Sequence, residues 1–301
     1  MSPRRLVVAG GVLLAAAAGM LIVREAGQTD YAATIEAWRH ERLARLASDE
    51  GWLTLAGLFW LQEGANGAGP DEAIALPPGS APGRVGVFEL HGGRTSFRPA
   101  EGAAVALGGR PVTGAVELRP DLPGPPDVLT LGDLSMFVIK RGERWAIRLR
   151  DRNGRARREF TGLTYFPIRK EYRIVAAFTP YAPPRTIDVP NVLGETEPMP
   201  SPGFLTFTLH GKTLRLDPVI EVPGDRELFV IFRDDTSGVE TYPSGRFLYT
   251  PMPEGGKVVI DFNKAYNPPC AFTPYATCPL PPPQNRLSVR VEAGEKTYGH
   301  H

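Results

Sequence analysis

The segment Asp261–Leu287 constrains the fold more than any other part of the chain. It contains both cysteines, seven prolines and three asparagines. Because proline lacks an amide hydrogen, the segment can form neither a long helix nor a central strand. Its larger apolar and aromatic side chains favour burial over disorder: Phe262, Tyr266, Phe272, Tyr275 and Leu280. We therefore predict a rigid, ordered loop, the kind of segment that often carries function.

The first 29 residues are predicted to be an N-terminal membrane anchor or signal segment. Arg4 and Arg5 precede an uncharged apolar run over residues 6–23, and eighteen helical residues span roughly 27 Å, close to the bilayer hydrocarbon thickness. The arginines predict a cytoplasmic N-terminus and an extracytoplasmic body, in the periplasm or cell envelope. The alternative is a cleaved signal peptide, with an apolar region at Leu6–Leu14, and a secreted body.

Helical periodicity follows the anchor over Tyr31–Ala47, where Ile35, Trp38, Leu43 and Leu46 share one apolar stripe. Residues 30–50 are therefore predicted to form an amphipathic helix that packs on the body. Residues 51–301 are predicted to form a single β-rich domain.

Short strand-like runs separated by turns fill the chain beyond Trp52. Tight hairpins are predicted at Gly92-Gly93, Gly108-Gly109, His210-Gly211 and Arg141–Arg144. The predicted fold is mainly β, an antiparallel sandwich or barrel-like arrangement with one N-terminal amphipathic helix, preceded by a membrane anchor helix.

Two cysteines in an oxidising compartment suggest a disulfide. A Cys270–Cys278 bond would close a nine-residue loop, and chain entropy gives it about 2.5 kcal/mol. Two buried free thiols, or half of a metal site, are the alternatives.

Composition and motifs exclude several classes of protein. The net charge of +1 argues against a nucleic-acid-binding protein. The chain has no G-x-S-x-G elbow, Walker A loop, G-x-G-x-x-G or H-E-x-x-H motif. Its five histidines lack ligand spacing except for the terminal pair His300 and His301. We therefore expect no metal and no cofactor.

An arginine ladder is the first candidate site. In a strand over Trp145–Arg152, Arg148 and Arg150 share a face, about 6.6 Å apart. Guanidinium groups at this spacing suit a carboxylate or a phosphate, although structural carboxylates could also neutralise them. For Trp52 and Trp60 the sequence leaves two roles open, a pocket wall or core packing, and favours packing.

Two further groups of polar residues are candidates. Asp234 and Asp235 follow an apolar run, and Tyr242 and Arg246 lie just beyond them. These carboxylates form either a catalytic pair or a turn that caps backbone amides. The proline-rich segment contributes the second group, which could bind a small polar ligand or only shape turns: Asp261, Asn263, Asn267, Asn285 and Arg286.

Three functions remain open at this point. The favoured one is binding of a small anionic or polyol-like ligand by Arg148, Arg150 and the proline-rich segment. The alternative is a hydrolase that uses Asp234 or Asp235 as general base, with Arg246 or Arg148 stabilising negative charge. The third is a purely structural envelope protein with a self-satisfied polar network.

Several runs of the chain resemble a bacterial family known as a domain of unknown function, DUF1684. The resemblance rests on the proline-rich segment and on four shorter runs: Gly51–Leu61 (GWLTLAGLFWL), Arg141–Asp151 (RGERWAIRLRD), Phe232–Leu248 (FRDDTSGVETYPSGRFL) and Ala293–Lys296 (AGEK). It implies an ordered structure and carries no activity with it.

Overall fold

The computed structural model describes residues 30–299. The predicted anchor and its apolar run lie outside the described residues. Within the described part, none of the helices has the length and apolar character to cross a membrane.

Helix α1 covers residues 30–47 and packs one face against the body. Ile35 and Leu46 are buried, as the apolar stripe predicts. The prediction for Leu43 is wrong, because its side chain is 36% exposed and Arg42 is buried instead. Arg42 lies seven residues after Ile35 and four before Leu46, which places it on the buried face. Its charge is neutralised by Glu295, with Nε 2.9 Å from Oε1.

The N-terminal half of the body consists of a 3₁₀ turn at Trp52–Thr54, eleven strands and the short helix α2 at Arg155–Arg158. The strands are β1 Leu55–Trp60, β2 Gly64–Gly69, β3 Ile74–Ala75, β4 Gly86–His91, β5 Arg94–Pro99, β6 Ala106–Leu107, β7 Arg110–Pro111, β8 Val116–Leu118, β9 Val128–Leu131, β10 Leu134–Arg141 and β11 Arg144–Asp151. They form two sheets, in the orders β1-β11-β10-β9-β6-β7 and β3-β2-β4-β5-β8. These two sheets enclose one core, which includes Phe88, Phe97, Ile147 and Leu149.

The C-terminal half has six strands and four 3₁₀ turns. The strands are β12 Arg173–Pro190, β13 Thr196–Leu209, β14 Lys212–Leu216, β15 Glu227–Phe232, β16 Arg246–Pro251 and β17 Lys257–Asp261, and the turns are Lys170–Tyr172, Phe262–Lys264, Pro269–Ala271 and Pro283–Asn285. The sheet orders are β14-β13-β12-β17 and β15-β16. Their core includes Leu205, Val230, Ile260 and Phe262.

The fold is mainly β with antiparallel sheets and one N-terminal helix, as predicted. Among the described strands, the β2–β3 pair alone is parallel. None of the four sheets closes on itself, so the barrel-like alternative is not observed in residues 30–299. The predicted β-rich region instead contains two large hydrophobic cores, one in each half.

All four predicted hairpins are confirmed. They join β4 to β5, β6 to β7, β10 to β11 and β13 to β14. At the last of these turns, His210 and Gly211 have φ values of 50° and 73°, the left-handed backbone that a tight two-residue hairpin requires.

The proline-rich segment is ordered and packs against the body, as predicted. Phe262 is fully buried and Phe272 is 8% exposed, whereas Tyr275 is exposed. Backbone hydrogen bonds tie the segment to distant elements, for example from Val192 N to Cys278 O at 3.0 Å.

Candidate functional site

The structure disperses the predicted site residues rather than gathering them in one pocket. Asp234 and Arg246 do meet, but in the closed interior, where the Arg246 side chain is fully buried. Asp234 Oδ1 accepts from Arg246 Nη2 at 3.1 Å, and its Oδ2 accepts from Thr236 Oγ1 at 2.8 Å and from Val291 N at 2.7 Å. Arg246 also donates to the carbonyl oxygens of Val291 and Ala293. These partners occupy both oxygens of Asp234, so the pair is a structural network that offers no carboxylate to a substrate. Of the Arg246 guanidinium, Nε alone has no hydrogen-bond partner among residues 30–299.

The three predicted asparagines are also structural. Asn263, Asn267 and Asn285 are buried, and the amide nitrogen of each donates to a main-chain carbonyl oxygen. Asn263 reaches Arg169 O, and Asn285 reaches Ile231 O, both at 2.9 Å. A buried main-chain carbonyl without a hydrogen-bond donor destabilises the fold. These side-chain amides supply the donors, and in doing so they hold the proline-rich segment against the body.

Three other predicted residues lie away from any shared pocket. Asp235 and Arg286 are exposed on the surface. Tyr242 is half-buried and donates its hydroxyl hydrogen to Cys270 O at 3.1 Å.

Asp261 lines a groove of about 800 Å³ between helix α1 and the C-terminal half. Its carboxylate accepts from Tyr31 Oη at 2.9 Å. Arg42, the buried cation of this groove, is paired with Glu295. The buried charge in this groove is therefore already compensated within the chain.

The arginine ladder lies on one face of β11, as the strand period predicts. The opposite face, with Ile147 and Leu149, packs in the N-terminal core. Each guanidinium group on the ladder face lies over an aromatic ring. The distances from Cζ to the ring centroid are 3.6 Å for Arg144 over Trp60, 5.3 Å for Arg148 over Trp52, and 4.8 Å for Arg150 over Phe137.

Arg148 differs from its neighbours because it faces a cavity of about 300 Å³ between β11 and the C-terminal half. We call this the Arg148 cavity. Its wall includes Trp52, Arg141, Met199, Phe247 and Cys278. Arg148 is 5% exposed, yet neither its Nε nor its Nη2 has a hydrogen-bond partner. A buried guanidinium with open donors is unusual, since buried charges in proteins are normally paired.

Asp121 also lines the Arg148 cavity, but other groups already use its carboxylate. Asp121 Oδ2 lies 2.8 Å from Arg141 Nη2, and Asp121 Oδ1 accepts from Lys140 N at 3.0 Å. Burial, with repulsion from Arg141, lowers the pKa of Arg148 to about 10. Arg148 therefore remains charged at neutral pH, and its Nε and Nη2 contact no carboxylate among residues 30–299.

The outer part of the cavity has the opposite charge. Glu197 and Glu221 also line it, and both are exposed, whereas Arg148 is buried. Glu221 accepts a hydrogen bond from the Tyr249 hydroxyl. The cavity therefore places a cation at its inner end and carboxylates at its rim. This polarity favours a ligand with an anionic group at one end and hydroxyl or amine groups at the other.

Both cysteines are free thiols, so the predicted disulfide is not observed. The two residues are nevertheless in contact, because Cys270 N donates to Cys278 Sγ at 3.1 Å. Cys278 is buried and forms part of the Arg148 cavity wall.

Trp52 has both of the roles that the sequence left open. It packs against two hydrophobic clusters, as favoured, and it forms part of the walls of the 800 Å³ groove and of the Arg148 cavity. Asp121 and Met199 come from separate strands and loops, and no local motif marks them. Among residues 30–299, no cluster of three or more histidine, cysteine or acidic side chains could hold a metal ion.

Comparisons with known proteins place the C-terminal half in a family. None of the curated proteins matches the chain significantly. A solved structure, the solution NMR structure of an uncharacterized protein from Haloarcula marismortui, shares 34% identity with it. The match covers 48% of this chain and 81% of that protein, with a TM-score of 0.41. The family model described as "Protein of unknown function (DUF1684)" matches residues 158–296. Two of the runs that suggested the resemblance, Gly51–Leu61 and Arg141–Asp151, lie outside the matched residues. The chain belongs to the DUF1684 family through its residues 158–296.

Proposed function

We propose that the protein is a binding protein for a small anionic ligand, which it holds in the Arg148 cavity. The observation that carries the proposal is the buried Arg148 guanidinium, whose Nε and Nη2 have no acceptor within the described chain. A carboxylate or phosphate would supply two acceptors in the planar geometry that a guanidinium prefers.

The size and walls of the cavity support the same ligand class. A volume of about 300 Å³ lies at the lower end of the usual range for small-molecule sites. Trp52 and Phe247 offer apolar surface, and Arg141 brings a second cation that Asp121 fixes in place. The exposed acids Glu197 and Glu221 suit hydroxyl groups of a polyol acid or polyol phosphate.

The hydrolase alternative has less support, because its proposed groups do not form a site. Asp234 and Arg246 satisfy each other in the interior, and Asp235 is exposed elsewhere. A general base must reach the proton that it removes, and neither carboxylate borders the Arg148 cavity.

Thermal unfolding of the full chain with a panel of anions tests the binding proposal. The probes are inorganic phosphate, glycerol 3-phosphate and gluconate, each compared with sodium chloride at the same ionic strength. A ligand whose free concentration is one hundred times its Kd stabilises the native state by about 2.7 kcal/mol. We expect at least one probe to raise the Tm well above the chloride control.

Two variants make this test specific. Arg148→Met removes the unpaired guanidinium and should abolish the increase in Tm. Arg144→Met is the matched control, since Arg144 lies on the same strand face over Trp60 but is exposed and outside the cavity. Equal increases in wild type and Arg148→Met, or no increase with any probe, would contradict the proposal.

We also propose that residues 6–23 anchor the protein in a membrane and that the body is extracytoplasmic. Arg4, Arg5 and the uncharged apolar run support this placement. Membrane fractionation of the full chain, with protease added to intact cells or spheroplasts, tests it. A body that is protease-resistant in intact spheroplasts would contradict it, and a mature mass lacking the N-terminal segment would instead indicate a cleaved signal peptide.

A further inference from the structure

The two cysteines form a contact pair that the anion site does not require. Cys270 follows Pro269 in a 3₁₀ turn, and Cys278 precedes Pro279. Cys270 N donates to Cys278 Sγ at 3.1 Å, so the Cys278 sulfur lies against the backbone of Cys270. The sulfur of one cysteine is therefore held next to the other cysteine, as thiol–disulfide exchange within a protein requires.

The backbone on both sides of the pair is held in place. Phe272 N donates to Pro269 O at 2.9 Å, which closes the turn that contains Cys270. Val192 N donates to Cys278 O at 3.0 Å, which ties Cys278 to the β12–β13 hairpin. The thiols are therefore kept side by side by contacts outside their own side chains.

The surroundings of the two thiols are unequal. Cys270 is half-buried, and Cys278 is buried. The hydrogen bond from the Cys278 thiol, aided by the Tyr242 hydroxyl, lowers the pKa of Cys270. The hydrogen bond with Cys270, together with burial, raises the pKa of Cys278. The more accessible thiol is thus also the one that ionises first, and the thiolate is the reactive form.

We propose that Cys270 and Cys278 form a reversible dithiol–disulfide pair, with Cys270 as the attacking thiol, Cys278 as the resolving thiol, and an external disulfide as oxidant. The Cys270 thiolate attacks one sulfur of the external disulfide, which forms a mixed disulfide and releases one thiolate. Cys278 then loses its proton to solvent and attacks Cys270 Sγ, which releases the second thiolate. Two protein thiols are oxidised to one disulfide, and the external disulfide is reduced to two thiols.

The pair adjoins the Arg148 cavity, because Cys278 is part of that cavity's wall. Oxidation would replace a thiol in the wall by a disulfide sulfur. The pair itself, however, does not depend on the anion-binding proposal, and the cysteine experiments below use no anion ligand.

Oxidised glutathione is the probe for the first experiment. The reduced full chain is incubated with it in native buffer, and intact mass is followed with time. We expect the wild type to lose two hydrogens and to become resistant to N-ethylmaleimide, with little glutathione adduct retained. Addition of dithiothreitol should restore both thiols. A wild type that keeps a glutathione adduct, or that stays reduced, overturns the proposal without any variant being needed.

Serine variants test the order of attack. Cys278→Ser should accumulate one stable glutathione adduct, because Cys270 can attack but has no resolving thiol. Cys270→Ser should form this adduct at least about tenfold more slowly, because the remaining thiol is buried and less ionised. Equal adduct rates in the two variants would overturn the assigned order.

A comparison with the unfolded chain tests whether the fold positions the pair. We expect the wild-type mixed disulfide to resolve at least about tenfold faster in native buffer than in concentrated urea, because the fold raises the effective concentration of Cys278. Equal rates would show that proximity in sequence alone accounts for the disulfide.

Discussion

Two buried arginines in this molecule have opposite electrostatic surroundings. Arg246 is fully buried and donates to the Asp234 carboxylate and to several carbonyl oxygens of the C-terminal segment. Arg148 is nearly as buried, but its Nε and Nη2 find no acceptor among residues 30–299, and the Asp121 carboxylate in the same cavity wall is occupied by Arg141. Burial of a charged side chain therefore does not by itself identify a binding site. A buried charge that the protein leaves without a counter-charge is the one that favours binding of a ligand.

The largest expected effect concerns the compensated arginine. Asp234→Ala should lower the free energy of unfolding by about 3–5 kcal/mol, because it leaves the Arg246 charge buried without its carboxylate. Urea denaturation measures this loss. Asp235→Ala is the matched control, since Asp235 is exposed, and it should change stability by less than about 0.5 kcal/mol. Similar losses in the two variants would mean that the Asp234–Arg246 pair does not stabilise the fold.

The second prediction has the opposite sign. Without added anion, Arg148→Met should leave the free energy of unfolding unchanged or raise it by up to about 2 kcal/mol, because an apolar side chain of similar length replaces an unpaired buried charge. The same urea experiment measures it. A loss of more than about 1 kcal/mol would show that Arg148 is a structural residue, like Arg246.

The third prediction concerns pH. Burial lowers the pKa of Arg148 from its ordinary value to about 10. Between the folded pKa and the ordinary pKa of arginine, the unfolded chain binds a proton that the native state does not, so the Arg148 contribution to stability rises with pH. Its destabilising effect is complete below the folded pKa and fades as the pH increases towards the unfolded pKa.

The stability advantage of Arg148→Met over wild type should therefore be smaller at about pH 11 than at about pH 8. Urea denaturation of both proteins at each pH measures the difference. Burial also raises the pKa of several tyrosines, including Tyr266, but this contribution is common to both proteins and cancels. A constant advantage would indicate that Arg148 is not desolvated in the native state.

The smallest expected effect lies at the rim of the cavity. Glu197→Gln removes an exposed negative charge from the lining, so inorganic phosphate, which has no polyol chain to contact Glu197, should bind roughly twofold to fivefold more tightly, in line with about 0.2–1 kcal/mol for an exposed charge. Isothermal titration calorimetry gives the Kd. Glu101→Gln, an exposed position in the N-terminal half outside the cavity lining, should leave affinity unchanged. Equal effects of the two substitutions would remove Glu197 from the site.

Local patterns predicted much of the fold because their causes are local. The four hairpins follow from turn residues that tolerate a left-handed backbone, and the face of β11 that carries Arg148 follows from the strand period. Local pattern is less informative for β12, Arg173–Pro190, because prolines interrupt its apolar residues. These prolines lie beyond Ala177, where the pairing of β12 with β17 ends, so the β17 side of the strand needs no amide donor there.

The candidate site was predicted only in part. Arg148 was among the candidates and lines a cavity, whereas the asparagines and the Asp234–Arg246 pair are engaged in hydrogen bonds within the chain. Asparagine near proline is equally compatible with a ligand site and with a loop held by internal hydrogen bonds. The hydrogen-bond partner of the side chain distinguishes the two roles, and the partner of Asn285, Ile231 O, lies 54 residues away in the sequence.

The sequence by itself determined the β character, the hairpins, the single long helix of the described region and the alternation that puts Arg148 opposite the core. All of these depend on backbone preferences within a few residues. Tertiary structure alone decided which charges are neutralised: Asp121 reaches Arg141, Asp234 reaches Arg246, and Arg148 Nε and Nη2 find no acceptor within the described region. Charge compensation depends on distances of a few ångströms between residues far apart in the chain, and no local pattern encodes them.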